Sequence, residues 1–190
     1  MLLAAVFSVN SCGEGNDSNS TEGTGLNGEW KTECISLGSY YQTRQMTFFS
    51  NDRYEYISAN FADAECTTSP IAIISSTGLY KAAKVGSLYD LDLTIDVIDL
   101  LPKSSEVATS YSSLGYCGSS NWNLDQSQSV IGASCTANGQ TIVFTDNSTD
   151  YQQVLDFSEE SGVLYLGVSF LLANSSRPTE VDGNVFLKQN

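Results

Sequence analysis

A chain of 190 residues, 41% of them hydrophobic, is long enough for one domain with a real core plus a tail. A net charge of −14 with only 8 Lys and Arg excludes nucleic-acid binding, because neutralising phosphates takes clustered cations. Histidine is absent, which removes His-based acid–base catalysis, Ser-His and Cys-His nucleophile pairs, and His-ligated metals.

Leu2 to Val9 is an apolar run too short to span a bilayer, and it fits the hydrophobic part of a secretory signal peptide. Val9-Asn10-Ser11-Cys12 follows and resembles the lipobox of bacterial lipoproteins, with an aliphatic residue three positions before the lipid-accepting cysteine and a small residue just before it. Residues 1–12 are therefore expected to be a lipoprotein signal peptide ending at a lipidated Cys12. Residues 13–25 hold Gly, Ser, Asn, Thr and acidic residues with no side chain to bury, and are expected to form a disordered tether. By the same resemblance, Gly13 in place of Asp favours sorting to the outer membrane. The implied address is the cell envelope, lipid-anchored at the periplasmic face or the cell surface, with outer-membrane lipid as the partner of Cys12.

The folded body, 26–190, reads as a series of strands. Gly28 to Leu37 is the first, with Trp30, Thr32 and Cys34 on one face. Tyr40–Ser50 and Arg53–Phe61 flank the turn signal Asn51-Asp52 and predict a hairpin. Ile71–Ala83 is the fourth strand, with Gly78 as a bend or bulge. In Leu88–Leu101, Leu91, Leu93, Ile95 and Val97 alternate with Asp90, Asp92, Thr94 and Asp96, which predicts one apolar and one acidic face. Pro102 stops that strand. Ser104–Gly115 lacks a period of two and leaves a short helix or a long loop open. Cys117–Cys135 is a loop-rich excursion around Trp122. Strands resume at Thr141–Thr145, Tyr151–Phe157, Val163–Leu172 and Asn184–Lys188. About eight or nine sequential strands, with no alternation of strand and helix, predict an all-β fold: an antiparallel up-and-down β-barrel, with a β-sandwich as the alternative.

Four cysteines remain in the body. Nearest-neighbour pairing gives disulfides Cys34–Cys66 and Cys117–Cys135, each bracketing one unit and each stabilising by about 3–4 kcal/mol. A zinc site is disfavoured, since there is no C-x-x-C and no histidine. The stripe Asp90, Asp92 and Asp96 reads as a solvated strand face rather than a calcium site, because carboxylates on one strand lack a loop to wrap the ion. Neither a nucleophile elbow nor a phosphate-binding glycine loop occurs. No catalytic residue, cofactor or metal is expected, and the protein is not expected to be an enzyme. The aromatics Tyr40, Tyr41, Phe48, Phe49, Tyr54, Tyr56 and Phe61 read as core and cross-strand pairs first, and as the lining of a ligand cavity second.

Gly28-x-Trp30 resembles the G-x-W of lipocalins, which opens their first barrel strand. Further residues extend the likeness: Cys34, Asp63-Ala64-Glu65-Cys66, Cys117 with Trp122, Gly132 with Cys135, Arg177-Pro178-Thr179 and Phe186-Leu187-Lys188-Gln189. Together they resemble a group of lipocalin-like lipoproteins of Gram-negative bacteria over about residues 26–190. That resemblance implies a calycin-type barrel, secretion and lipidation, and it carries over no catalytic residue. In lipocalins a basic residue late in the chain packs over the G-x-W tryptophan, and Arg177 is the expected counterpart over Trp30. The function expected from all this is a non-catalytic envelope lipoprotein whose barrel binds a small apolar or amphipathic ligand. The alternative is a surface interaction protein, adhesin-like or protease-inhibitor-like, that meets an envelope or extracellular protein partner through its loops and outer face.

Overall fold

The computed structural model describes residues 25–137, 139–146, 151–167, 171 and 176–189. The expected signal segment 1–12 with Cys12, and the tether as far as residue 24, lie outside the described residues.

The strands in chain order are β1 (Gly28–Thr32), β2 (Ile35–Ser36), β3 (Tyr41–Phe48), β4 (Arg53–Phe61), β5 (Ala72–Val85), β6 (Leu88–Pro102), β7 (Gln128–Ser129), β8 (Ser134–Ala137), β9 (Gln140–Val143), β10 (Tyr151–Ser158), β11 (Val163–Leu166) and β12 (Phe186–Lys188). One α-helix among the described residues, α1 (Ser105–Leu114), follows β6. Eight of the strands form a ring in the order β1-β12-β11-β10-β6-β5-β4-β3, and β1 closes it by pairing with β3 as well as β12. Every pairing is antiparallel, and barrel strands that follow one another along the chain are neighbours in space. This is a closed up-and-down barrel rather than a sandwich, and it is compatible with a lipocalin-like fold. Closure removes the two open edges that a flat meander would expose.

Period two explains the hairpins. Phe48 pairs with Tyr54 at the end of the β3–β4 ladder, and Phe49 N donates to Arg53 O at 2.9 Å across the turn. Phe48, Tyr54 and Tyr56 consequently point inward and are buried, while Phe49 points out.

The β5–β6 ladder contains one break of phase. Thr77 pairs with Val97 but Gly78 pairs with Ile95, so Asp96 is an extra residue on β6. Before the bulge Leu91, Leu93 and Ile95 face inward; after it Ile98 and Leu100 do, and Val97 is 38% exposed. The predicted apolar face therefore holds for three of its four members and fails at Val97, because a bulge shifts the alternation by one. Gly78 sits opposite the bulge. A Cβ there would lie 2.0 Å from Thr94 O, so the close approach of the two backbones needs glycine.

Two further strand expectations are corrected. Gly28–Leu37 is two strands, β1 and β2, broken where Cys34 leaves the ladder to bond Cys66 in the loop after β4. The segment expected as Thr141–Thr145 is β9, which pairs with β8 in a separate two-stranded sheet and takes no place in the barrel ring.

One end of the barrel is sealed by the residues that precede β1. Leu26 is fully buried, its carbonyl accepts a 2.7 Å hydrogen bond from Trp30 Nε1, and Asn27 Oδ1 accepts one from the Tyr80 hydroxyl at 3.2 Å. Above this plug Trp30, Met46, Phe48, Tyr54, Tyr80, Leu91, Leu93, Leu155, Leu164 and Phe186 fill the lumen. Fully burying one such side chain contributes about 1.5–3 kcal/mol.

Candidate ligand-binding site

The other end of the barrel is built differently, and the inward positions of three strands show why. Read toward that end, β3 presents Phe48, Met46, Arg44 and Gln42; β4 presents Tyr54, Tyr56, Ser58 and Asn60; and β5 presents Tyr80, Ser76, Ile74 and Ala72. Bulky apolar side chains give way to small or polar ones. The lumen therefore stops being filled by its own walls, and a partly enclosed cavity of about 600 Å³ opens.

The long excursion between β6 and β10 roofs this cavity. Helix α1 is capped at its start by Ser104, whose hydroxyl accepts from Val107 N at 3.2 Å, and at its end by Gly115, held at φ 60°. The left-handed conformation at the end of a helix favours glycine and turns the chain back. Trp122 then ties the excursion to the helix: its backbone N donates to Ser112 Oγ at 2.9 Å, and its Nε1 donates to Tyr116 O at 3.0 Å. The Cys117–Cys135 disulfide links the turn after α1 to β8, while β7 adds to β6 through Asp99–Ser129 and Leu100–Gln128. Val107 and Tyr111 from the helix, Tyr116, Cys135, and Ile142 and Phe144 beyond it then face the cavity.

Four of the polar side chains that line the cavity form one chain of hydrogen bonds. Arg44 Nε donates to Gln42 Oε1 at 2.6 Å, and Gln42 Nε2 donates to Asn60 Oδ1 at 2.9 Å. Arg44 Nη1 pairs with Asp182 Oδ2 at 3.0 Å, both side chains being about one-fifth exposed. Asp182 Oδ1 in turn accepts from the backbone N of Asn184 at 2.7 Å and from its side-chain amide. Asp182 is delivered by the Gly167–Val181 bridge beside β11 and by the 2.7 Å bond from its N to Leu166 O. A Cβ on Gly167 would lie 1.8 Å from Gln153 Oε1, so the fully buried Gln153 side chain can lie there only because residue 167 is glycine.

Tyrosines form the aromatic wall. Tyr111 and Tyr116 stack with ring centres 4.5 Å apart, and Trp122 meets Tyr111 edge-on at 5.6 Å. Burial, with Tyr116 and Tyr40 nearby, pushes the Tyr111 phenol up to about 12. Burial likewise raises Tyr116 and Tyr56; at Tyr56 the Arg44 charge opposes that rise in part. All three therefore remain neutral phenols around neutral pH.

The expected site residues separate cleanly. Cys34 is bonded to Cys66 and Cys117 to Cys135, as read from the sequence. The acidic stripe is an outer face paired with two arginines. Arg177 pairs with Asp90 at 3.5 Å and with Asp92, and Arg53 pairs with Asp96 at 3.1 Å. Among the described residues no group of three or more acidic or cysteine side chains could hold a metal. Arg177 does not lie over Trp30. Held by those carboxylates and by the Leu91 and Gln153 carbonyls, it bridges β6 and β10 outside the barrel. Lys188 occupies the place over the Trp30 ring, 5.1 Å from its centre, because β12 sets it directly opposite Trp30. The aromatic set divides: Tyr40 and Tyr56 line the cavity, and Phe48 and Tyr54 fill the core. Sequence reading missed Arg44, Gln42, Asn60 and Asp182. The taper from aromatic to polar along β3 and β4 would have flagged the first three, whereas Asp182 carries no such signal. No known protein family matches this chain, and no curated protein matches it.

Proposed function

We propose that the protein is a non-catalytic envelope lipoprotein, lipocalin-like in type, that carries a small amphipathic molecule in the upper half of its barrel. Lipidation at Cys12 and a tether over 13–25 would hold the barrel at the outer membrane. The observation that supports carriage is the 600 Å³ cavity between barrel wall and roof, with aromatic rings on one side and a polar cluster on the other. Small-molecule sites have this size and this make-up, and an eight-stranded barrel has room for one such ligand.

Native mass spectrometry of residues 25–190 produced in an oxidising periplasm tests the reading. An extra mass that leaves on denaturation supports it. So does saturable uptake of an apolar fluorophore that Ile74→Trp blocks by filling the cavity. A bare protein that also takes up no fluorophore overturns carriage, and the excursion's exposed Leu114 and Leu124 then become the first surface to test against protein partners.

A further inference from the structure

The polar chain in the cavity has a fixed direction, and the direction selects a ligand. Arg44 has only donors. Its Nε bond to Gln42 therefore requires the Gln42 oxygen to face Arg44 and the Gln42 nitrogen to face Asn60. Asn60 must then accept with its oxygen and turn its own NH2 away. Neither amide can be flipped without setting donor against donor.

Counting what is left over gives an asymmetric result. Every acceptor of the cluster already receives at least one internal donor: Gln42 Oε1 from Arg44, Asn60 Oδ1 from Gln42, Asp182 Oδ2 from Arg44 and Asp182 Oδ1 from Asn184 twice. Arg44 Nη2 and Asn60 Nδ2 have no partner among the described residues. No buried side-chain nitrogen or oxygen among those residues is without a partner, so both N–H groups must border open space, and both residues line the cavity. The neighbouring tyrosine and serine hydroxyls and the exposed Gln140 amide donate and accept alike and do not change the balance.

Charge narrows the choice further. Asp182 already neutralises Arg44 at 3.0 Å. A ligand carboxylate would place a second negative charge beside Asp182, in a protein of net charge −14. A ligand ammonium would sit beside the Arg44 guanidinium, facing a carboxylate that Arg44 already neutralises. Resting on the carrier reading, we infer that the site recognises a neutral oxygen acceptor, a ketone, ester or lactone carbonyl, on an apolar body. The carbonyl accepts from Arg44 Nη2 and Asn60 Nδ2 while the body lies against Tyr111 and Tyr116.

The test is competition against a bound apolar fluorophore with matched medium-chain probes: a methyl ketone, the alkane, the carboxylate and the primary amine. The ketone should bind about tenfold tighter than each of the others. Asn60→Asp keeps an acceptor for Gln42 but replaces the free NH2 by an acceptor, so the ketone-to-alkane ratio should fall toward one. Asp182→Asn leaves Arg44 without its counter-charge, and the carboxylate should then overtake the ketone. If Asp182→Asn does not fold, by circular dichroism, the Asn60→Asp ratio decides alone. Equal binding of all four probes, an amine or carboxylate preference in the unaltered protein, or an unchanged ratio in Asn60→Asp overturns the inference and leaves carriage standing. Failure of the fluorophore to bind at all overturns carriage itself.

Discussion

Lys188 holds its ammonium 5.1 Å from the centre of the Trp30 ring, directly across the β1–β12 ladder. The same ammonium donates to Gly25 O at 3.2 Å, and Trp30 Nε1 donates to Leu26 O. The first and last barrel strands and the plug that seals the lumen thus meet at one tryptophan.

Trp30→Phe should destabilise the protein by about 2–4 kcal/mol, because it opens a void in a filled core and leaves the buried Leu26 carbonyl without its donor. Lys188→Met should cost only about 0.5–1 kcal/mol, the worth of a cation over a ring near the surface. Denaturant unfolding followed by circular dichroism measures both. Arg177→Met should leave the fluorescence of Trp30 unaltered, since Arg177 is held on the outer face.

The two disulfides should separate by function. The Cys34–Cys66 bond spans 32 residues and closes the β3–β4 unit of the barrel. Replacing both cysteines by serine should lower global stability by about 3–4 kcal/mol. The Cys117–Cys135 bond, spanning 18 residues, lies within the roof. Its removal should speed amide exchange chiefly within residues 105–145, with the barrel strands remaining protected. Uniform loss of protection in the second variant would show that roof and barrel unfold as one unit.

Gly78→Ala probes the bulge. The added methyl would meet a backbone oxygen, which cannot rotate aside, so about 1–3 kcal/mol should be lost as the β5–β6 ladder shifts. Gly86→Ala makes a useful contrast. It has open space around the added carbon, and only its φ of 64° opposes the change. The Gly78 variant should show altered amide shifts along both strands, and the Gly86 variant only at the hairpin tip.

Stability should fall at both ends of the pH scale for different reasons. Tyr111 has a folded pKa raised to about 12 from an ordinary 10.0, chiefly by burial. Its contribution is complete below pH 10 and is lost as pH rises toward 12. Tyr56 and Tyr116 shift the same way, so alkaline unfolding should begin above pH 10, and Tyr111→Phe should delay it. Asp63 is the reverse case. The Thr68 hydroxyl first, then the Thr67 amide, hold its carboxyl down to about 2 from an ordinary 3.8. Its contribution is present above pH 3.8 and disappears as pH falls through 2, a loss that Asp63→Asn should abolish.

Much of the barrel was legible because strand alternation is a local property. Tyr54 and Tyr56 share a face in any extended chain, and nearest-neighbour cysteines were correctly joined because each pair brackets one hairpin-sized unit. Val97 was misplaced because a bulge arises from how two strands meet, and nothing within β6 alone marks Asp96 as the extra residue. Thr141–Thr145 looked like a barrel strand because local pattern does not tell a strand which sheet to join. Arg177 and Lys188 were exchanged for a related reason: both lie late in the chain, and only the register of β12 against β1 sets Lys188 opposite Trp30.

The polar site was the least legible part. Arg44, Gln42 and Asn60 are ordinary strand residues until the ring closes and turns them inward. Asp182 lies 138 residues from Arg44 and meets it only where the returning segment bridges Gly167 through Val181. The succession of strands and their antiparallel order follow from local periodicity and short connections, which an extended chain already carries. The cavity, its roof and the direction of its hydrogen bonds depend on closure, since only closure decides which side chains share the lumen and which N–H groups are left facing open space.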